Sequence, residues 1–243
     1  PEVQPAAPEA KAGRFPGIRL ATLAMAVLAV AYAGIDVQAM KTSLLLGLAL
    51  ILFLAFFWFD ERMDTARLLP KGAVIPTSPQ GAALVMIVAF SIGTTGVFTF
   101  GPLVMTAIFG TPPWAIGYVI ACISIGWSTA AVSVSGASQR LDRALIIAGF
   151  TLVTLSMAGF LYAFPNGPLW LIAVFAFIEG AGFGMAWSYI LRLTNSLIDT
   201  QDQPRFAGAI PTLQRLGIAI GAAYMGIVAN AIGLENLSLE TAQ

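Results

Sequence analysis

Seven apolar stretches separated by short polar or Pro/Gly-containing turns dominate the chain, at residues 20–35, 42–59, 81–108, 114–135, 144–163, 169–191 and 206–231. A helix needs roughly 20 apolar residues to cross a hydrocarbon layer about 30 Å thick. The last five stretches meet that length. The first two are at its short end and read either as two spans or as one re-entrant hairpin. Unpaired backbone groups are too costly in lipid, so each stretch is expected to be helical, and the runs exceed the ~9–11 residues of a barrel strand. The pattern predicts an all-α, polytopic membrane helix bundle of about seven transmembrane helices.

Composition narrows the class. Hydrophobic residues make up 58% and charged residues 10% of the 243, against about 45–50% and 25% in an average soluble domain, which excludes a soluble globular fold. The net charge is zero and no basic run occurs, so no nucleic-acid partner is expected. Cys122 is the lone cysteine, which excludes a disulfide scaffold. The absence of histidine removes His-based metal sites and His-dependent triads, and no cofactor is expected. Residues 1–19 are Pro/Ala-rich and charged. They read as a tail or linker and lack the order of a signal peptide. The chain does not open on Met and reads as a piece of something longer.

Charge distribution sets the expected orientation. Lys11, Arg14 and Arg19 precede the first stretch; Arg62, Arg67 and Lys71 follow the second; Arg140 and Arg143 follow the fourth; Arg192 and Arg205 follow the sixth. These ten face Lys41 alone on the other side. The positive-inside rule then puts the N-terminus in the cytoplasm of a multi-pass protein of the cell inner membrane. Seven spans starting inside end outside, so residues 235–243 would be extracytoplasmic and a further helix is expected after Gln243. Asp36 reads as an interfacial residue, and Asp60, Glu61, Arg62 and Asp64 as a solvated inner loop. A retinal protein is excluded, because its Schiff-base lysine must lie inside a helix and no lysine follows Lys71.

The stretches carry polar detail of their own. In the fourth, Gly117, Ala121, Ser124, Ser128, Ala131 and Ser135 fall within about 60° of arc, a stripe suited either to helix packing or to lining a cavity. In the third, Ser91, Thr95, Thr99, Pro102 and Thr106 fall within about 80°; their hydroxyls either refill backbone acceptors near Pro102 or line a polar path. Gly180 with Gly184 and Gly217 with Gly221 have the GxxxG spacing of close helix contact.

Two charges are buried deepest. Glu179 lies near the middle of the sixth stretch and Arg215 well inside the seventh. Each costs about 2.5–3.5 kcal/mol at mid-bilayer on insertion scales. That cost is offset by mutual pairing, by a water-filled cavity or by protonation of Glu179. The pair is therefore either a structural salt bridge or a proton-coupling or substrate-binding site, with Gln214 extending the cluster.

Three segments carry a family resemblance. Residues 100–118, FGPLVMTAIFGTPPWAIGY, resemble the junction of the seventh and eighth core helices of major facilitator superfamily transporters, above all in the fourteen-helix drug:proton antiporter branch. Residues 136–149, GASQRLDRALIIAG, are similar to a shortened C-half copy of that family's Gly-x-x-x-Asp-Arg-x-Gly-Arg loop, with Asp142 where its second Gly is expected. Residues 207–223, AGAIPTLQRLGIAIGAA, resemble the branch's penultimate helix. The resemblance implies the C-terminal half of a transporter working by alternating access, with partition into a cytoplasmic tail (1–19), two inserted helices (20–59), a cytoplasmic loop (60–80) and a transporter bundle lacking its last helix (81–243). The missing N-terminal half, protons, membrane lipid and a small-molecule substrate are its implied partners.

On this reading Glu179, Arg215 and Gln214 form the proton or cation site, with Thr95, Thr99, Ser124 and Trp127 as candidate contacts along the pathway. Gly136, Arg140, Asp142 and Arg143 belong to a cytoplasmic gate. The expected activity is proton-coupled efflux of lipophilic or cationic compounds. A facilitator for another small solute and a non-transporting scaffold subunit are the alternatives. An enzyme is not expected, because no acid pair, Cys or His cluster or nucleophile motif occurs on the predicted surfaces.

Overall fold

The computed structural model describes residues 17–34, 38–62 and 67–231. The tail up to residue 16, Asp36, Asp64 and residues 235–243 lie outside them. The described residues form seven α-helices and one 3-10 turn: α1 (Gly17–Ala33), α2 (Ala39–Glu61), α3 (Pro79–Phe109), α4 (Pro113–Val134), α5 (Asp142–Asn166), α6 (Leu169–Leu197) and α7 (Gln203–Ala231), with the turn Gln139–Leu141 between α4 and α5. Each helix coincides with one of the seven apolar stretches to within a few residues. Six are long and apolar enough to cross a membrane, and α1 is a shorter apolar helix. The protein is a polytopic membrane helix bundle.

Local chemistry fixes the helix ends. Ser78 caps α3, its Oγ accepting from the Gly81 amide at 3.0 Å, and Pro79 opens the first turn, where its missing N–H is not needed. Gly110 closes α3 at φ 58°, a left-handed cap that suits glycine. Pro113 and Pro168 mark the starts of α4 and α6.

Helix α6 lies between α4 and α5, α3 packs on α7, and the α1–α2 hairpin rests on α7 through α1. Glycine makes the α4–α6 contact close. Added Cβ atoms at Gly126, Gly180 and Gly184 would overlap the carbonyl oxygens of Phe177, Ile123 and Trp127 respectively. Gly217 and Gly221 also sit close to the α3 backbone, though less tightly, an added Cβ at each lying 2.9 Å from the carbonyl oxygens of Val88 and Ile92. Both GxxxG pairs are therefore sites of backbone contact, as their spacing predicts.

Most of the small-residue stripe of α4 faces away from the other described helices: Gly117, Ser124, Ser128 and Ser135 are exposed and Ala121 and Ala131 half-buried, because α4 meets α6 through its buried face of Ile116, Val119, Ile123, Gly126 and Ala130. One expectation needs correction: Asp60 is not solvated. It is 3% exposed, bonded to Arg19 Nη1 at 2.6 Å, and accepts from the amides of Leu68 at 2.9 Å and Leu69 at 3.0 Å. A carboxylate at a helix end stays buried when donors converge on it.

Candidate functional site

A cavity of about 280 Å³ opens where α3, α4, α6 and α7 converge. The third helix supplies Ser91, Thr94, Thr95, Phe98 and Thr99, spaced so that they share one face. Opposite them stand Trp127 of α4, Glu179 and Phe183 of α6, and Gln214 of α7. Glu179 and Phe183 are four residues apart on α6 and so project in the same direction.

Glu179 is the defining group. It is 1% exposed, and neither carboxylate oxygen has a hydrogen-bond partner. Native structures leave few buried polar atoms unpaired, and a charged one is the costliest kind. Three of the neighbouring hydroxyls are turned to the backbone instead. Ser91 Oγ donates to the Ile87 carbonyl and Thr94 Oγ1 to the Phe90 carbonyl, each at 2.8 Å, and Thr95 Oγ1 donates to the Ser91 carbonyl. With those hydrogens engaged, the hydroxyls present oxygen lone pairs to the cavity. The rest of the wall is largely apolar, from Phe98, Ile123, Trp127, Phe183 and Ile218.

Aromatic rings complete it. Trp127 and Phe183 have centroids 4.5 Å apart and tilted by 31°, and Phe183 stacks on Trp187 at 5.3 Å. Trp127, 37% exposed, is thus both a cavity wall and part of an aromatic column.

Five of the seven expected pathway residues, Glu179, Gln214, Thr95, Thr99 and Trp127, are brought to this one cavity. Two are not. Ser124 is exposed on α4 with most of its stripe. Arg215 is exposed on α7 and lines a separate groove against α1, with Leu20, Leu23, Ala24, Val27 and Leu28. The Glu179–Arg215 pair that their depth allowed does not form. Adjacent helical residues point about 100° apart, so when Gln214 faces Glu179 its neighbour Arg215 faces elsewhere. Sequence reading did not assign Thr94, Phe98 or Phe183 to the site. Phe183 carried a signal in its four-residue spacing from Glu179.

The expected gate residues separate as well. Asp142, 2% exposed, accepts from Arg192 Nε at 3.1 Å and from Arg192 Nη2. Arg192 Nη2 also donates to the Ala137 carbonyl at 3.0 Å, and its guanidinium lies 4.5 Å over the Tyr189 ring. Tyr189 Oη donates to the Val134 carbonyl. The end of α6 thus clamps the α4–α5 turn. Arg140, Arg143 and Gly136 are exposed around it.

The site is thus a cavity between long apolar helices with an unsatisfied acid in its wall. The chain belongs to the Major Facilitator Superfamily, whose family profile matches residues 17–222. It is 26% identical over 227 residues to proteins named as probable multidrug-efflux transporters in two strains of Mycobacterium tuberculosis, the alignment covering 89% of this chain and 47% of each relative. The chain spans about half the length of these relatives. No solved structure matches it.

Proposed function

We propose that this chain is the C-terminal half of a proton-coupled exporter of lipophilic or cationic small compounds, acting by alternating access in the cell inner membrane with its N-terminal end cytoplasmic. The observation that carries this reading is the Glu179 carboxyl group: fully buried, without a partner, and in the wall of a cavity. Such a group persists in a membrane protein when it serves a function. A bound proton or a bound cation each relieves the uncompensated charge, and the two compete for the same oxygens. That competition is the chemical core of antiport.

The rest of the wall favours a cationic, partly apolar solute. Hydroxyl and amide oxygens offer acceptors, while the faces of Trp127 and Phe183 attract positive charge. The exposed small-residue face of α4 suits close approach of a second helical bundle, the N-terminal half of the same transporter. On this view the Asp142–Arg192 clamp holds the α4–α5 turn in one of the two access states, with Arg140 and Arg143 at the cytoplasmic surface.

The test is flux in vesicles containing the full transporter, both halves present. A proton gradient is expected to drive movement of a fluorescent lipophilic cation such as ethidium, and Glu179→Gln to abolish that movement while the protein still inserts. Gradient-driven flux that survives Glu179→Gln would remove Glu179 from the coupling. Absence of any solute-dependent proton movement in the wild type would favour a scaffold role.

A further inference from the structure

Arg215 is left without a role in that cavity, and its surroundings describe a different site. It is exposed on α7 and makes no hydrogen bond or ion pair among the described residues. Leucines and other apolar side chains of α1 form the opposite wall of its groove. An isolated guanidinium at membrane depth is costly, and an anionic group in the groove would relieve that cost.

Geometry shows where that partner comes from. Helices α1 and α7 run side by side in the same direction: Gly34, just past the end of α1, lies against Ala223 and accepts from Asn230 Nδ2 at 2.9 Å, while residues 20–28 face residues 212–216. From Gly17 to Ala33 helix α1 rises about 25 Å at 1.5 Å per residue. Arg215 precedes Ala223 by eight residues, about 12 Å, which puts its Cα roughly 13 Å from the level of Gly17. Its side chain leans toward the start of α7 and shortens that gap. The guanidinium therefore leans toward the end of the bundle at which the described part of α1 begins.

We propose that the α1–α7 groove binds one anionic phospholipid, its phosphate held by Arg215 and an acyl chain lying along Leu20, Leu23, Val27 and Leu28. Charge selects the headgroup, since nothing in the groove offers a cation-binding carboxylate, and basic grooves between membrane helices suit acidic lipid phosphates. The lipid would fasten the α1–α2 hairpin to the bundle at the end opposite the Asn230–Gly34 contact.

The full transporter in nanodiscs of phosphatidylcholine with a minor share of phosphatidylglycerol provides the test, by mass spectrometry of lipids retained after detergent extraction. The wild type is expected to retain phosphatidylglycerol preferentially. In Arg215→Gln the preference should fall about fivefold, the ratio one basic group near an anionic lipid supplies, and Arg215→Lys should keep most of it. Ala24→Phe, which fills the groove and leaves the arginine intact, should lower retention without changing the fold. Equal retention in wild type and Arg215→Gln overturns the proposal. So does a wild type with no lipid preference whose Arg215→Gln variant is destabilised equally in pure phosphatidylcholine, since Arg215 would then be paired with a carboxylate elsewhere in the protein.

Discussion

Asp142 and Glu179 are buried to nearly the same degree, 2% and 1% exposed, and are treated oppositely by their surroundings. Asp142 takes hydrogen bonds from Arg192, whereas both oxygens of Glu179 are bare. A satisfied buried carboxylate holds structure together; a bare one costs stability. Removing the partner of the first and the charge of the second should therefore have opposite effects on stability. Arg192→Ala strands Asp142 and the Ala137 carbonyl and is expected to lower the thermal midpoint in detergent. Arg192→Lys should recover only part of the loss, because one ammonium cannot reproduce the fork that reaches both acceptors. Glu179→Gln is expected to leave the midpoint unchanged or raise it. A marked fall for Glu179→Gln would show that the carboxylate supports the fold and is not reserved for a visiting charge.

Between helices, the decisive quantity is how closely two backbones approach. Gly180 touches the Ile123 carbonyl so tightly that a methyl group has nowhere to go, while Gly117 on the exposed side of α4 has nothing within 4 Å. Gly180→Ala is expected to cost about 1–3 kcal/mol by overpacking and to displace Glu179, its neighbour in sequence, from the cavity. Gly117→Ala should be neutral or slightly stabilising. Unfolding curves of the two variants check this, and equal effects would contradict the packing. The contrast also marks how far the sequence can be read. Apolar length located all seven helices, and GxxxG spacing found the tight faces of α6 and α7. Small residues say that a neighbour can come close without saying which one does, so the Ser124 stripe reads equally as packing face or cavity lining, while α4 meets α6 through its other face. Gln214 and Arg215 were grouped for the same reason: depth follows from position in the stretch, but the direction each points depends on where α1, α3 and α6 stand. Arg192 is 50 residues from Asp142, and no local pattern announces a pair that only the packing of α5 on α6 creates.

At the scale of the whole molecule, the α1–α2 hairpin packs on the bundle through Leu23, Ala29, Val30, Ala49 and Phe56 and carries a polar tie toward each end. Near its start, Asp60 gathers Arg19 and the Leu68 and Leu69 amides, so that one carboxylate ties the beginning of α1, the end of α2 and the segment leading to α3. Near its turn, the Gly34 carbonyl accepts from Asn230. Breaking a buried pair by removing one partner costs about 3–5 kcal/mol, and loss of a single neutral hydrogen bond about 1 kcal/mol. Asp60→Ala is therefore expected to loosen the hairpin much more than Asn230→Ala. Glycine-mediated contacts of α4, α5 and α6 do not involve the hairpin, so opening at Asp60 should stay local. Hydrogen exchange measured by mass spectrometry separates the cases. Asp60→Ala should speed exchange in residues 67–75 and at the start of α1 while the α4–α6 region around the cavity stays protected. Faster exchange throughout α4–α6 would instead mean that hairpin and bundle open as one cooperative unit, and the cavity would then depend for its shape on a junction at the far edge of the molecule.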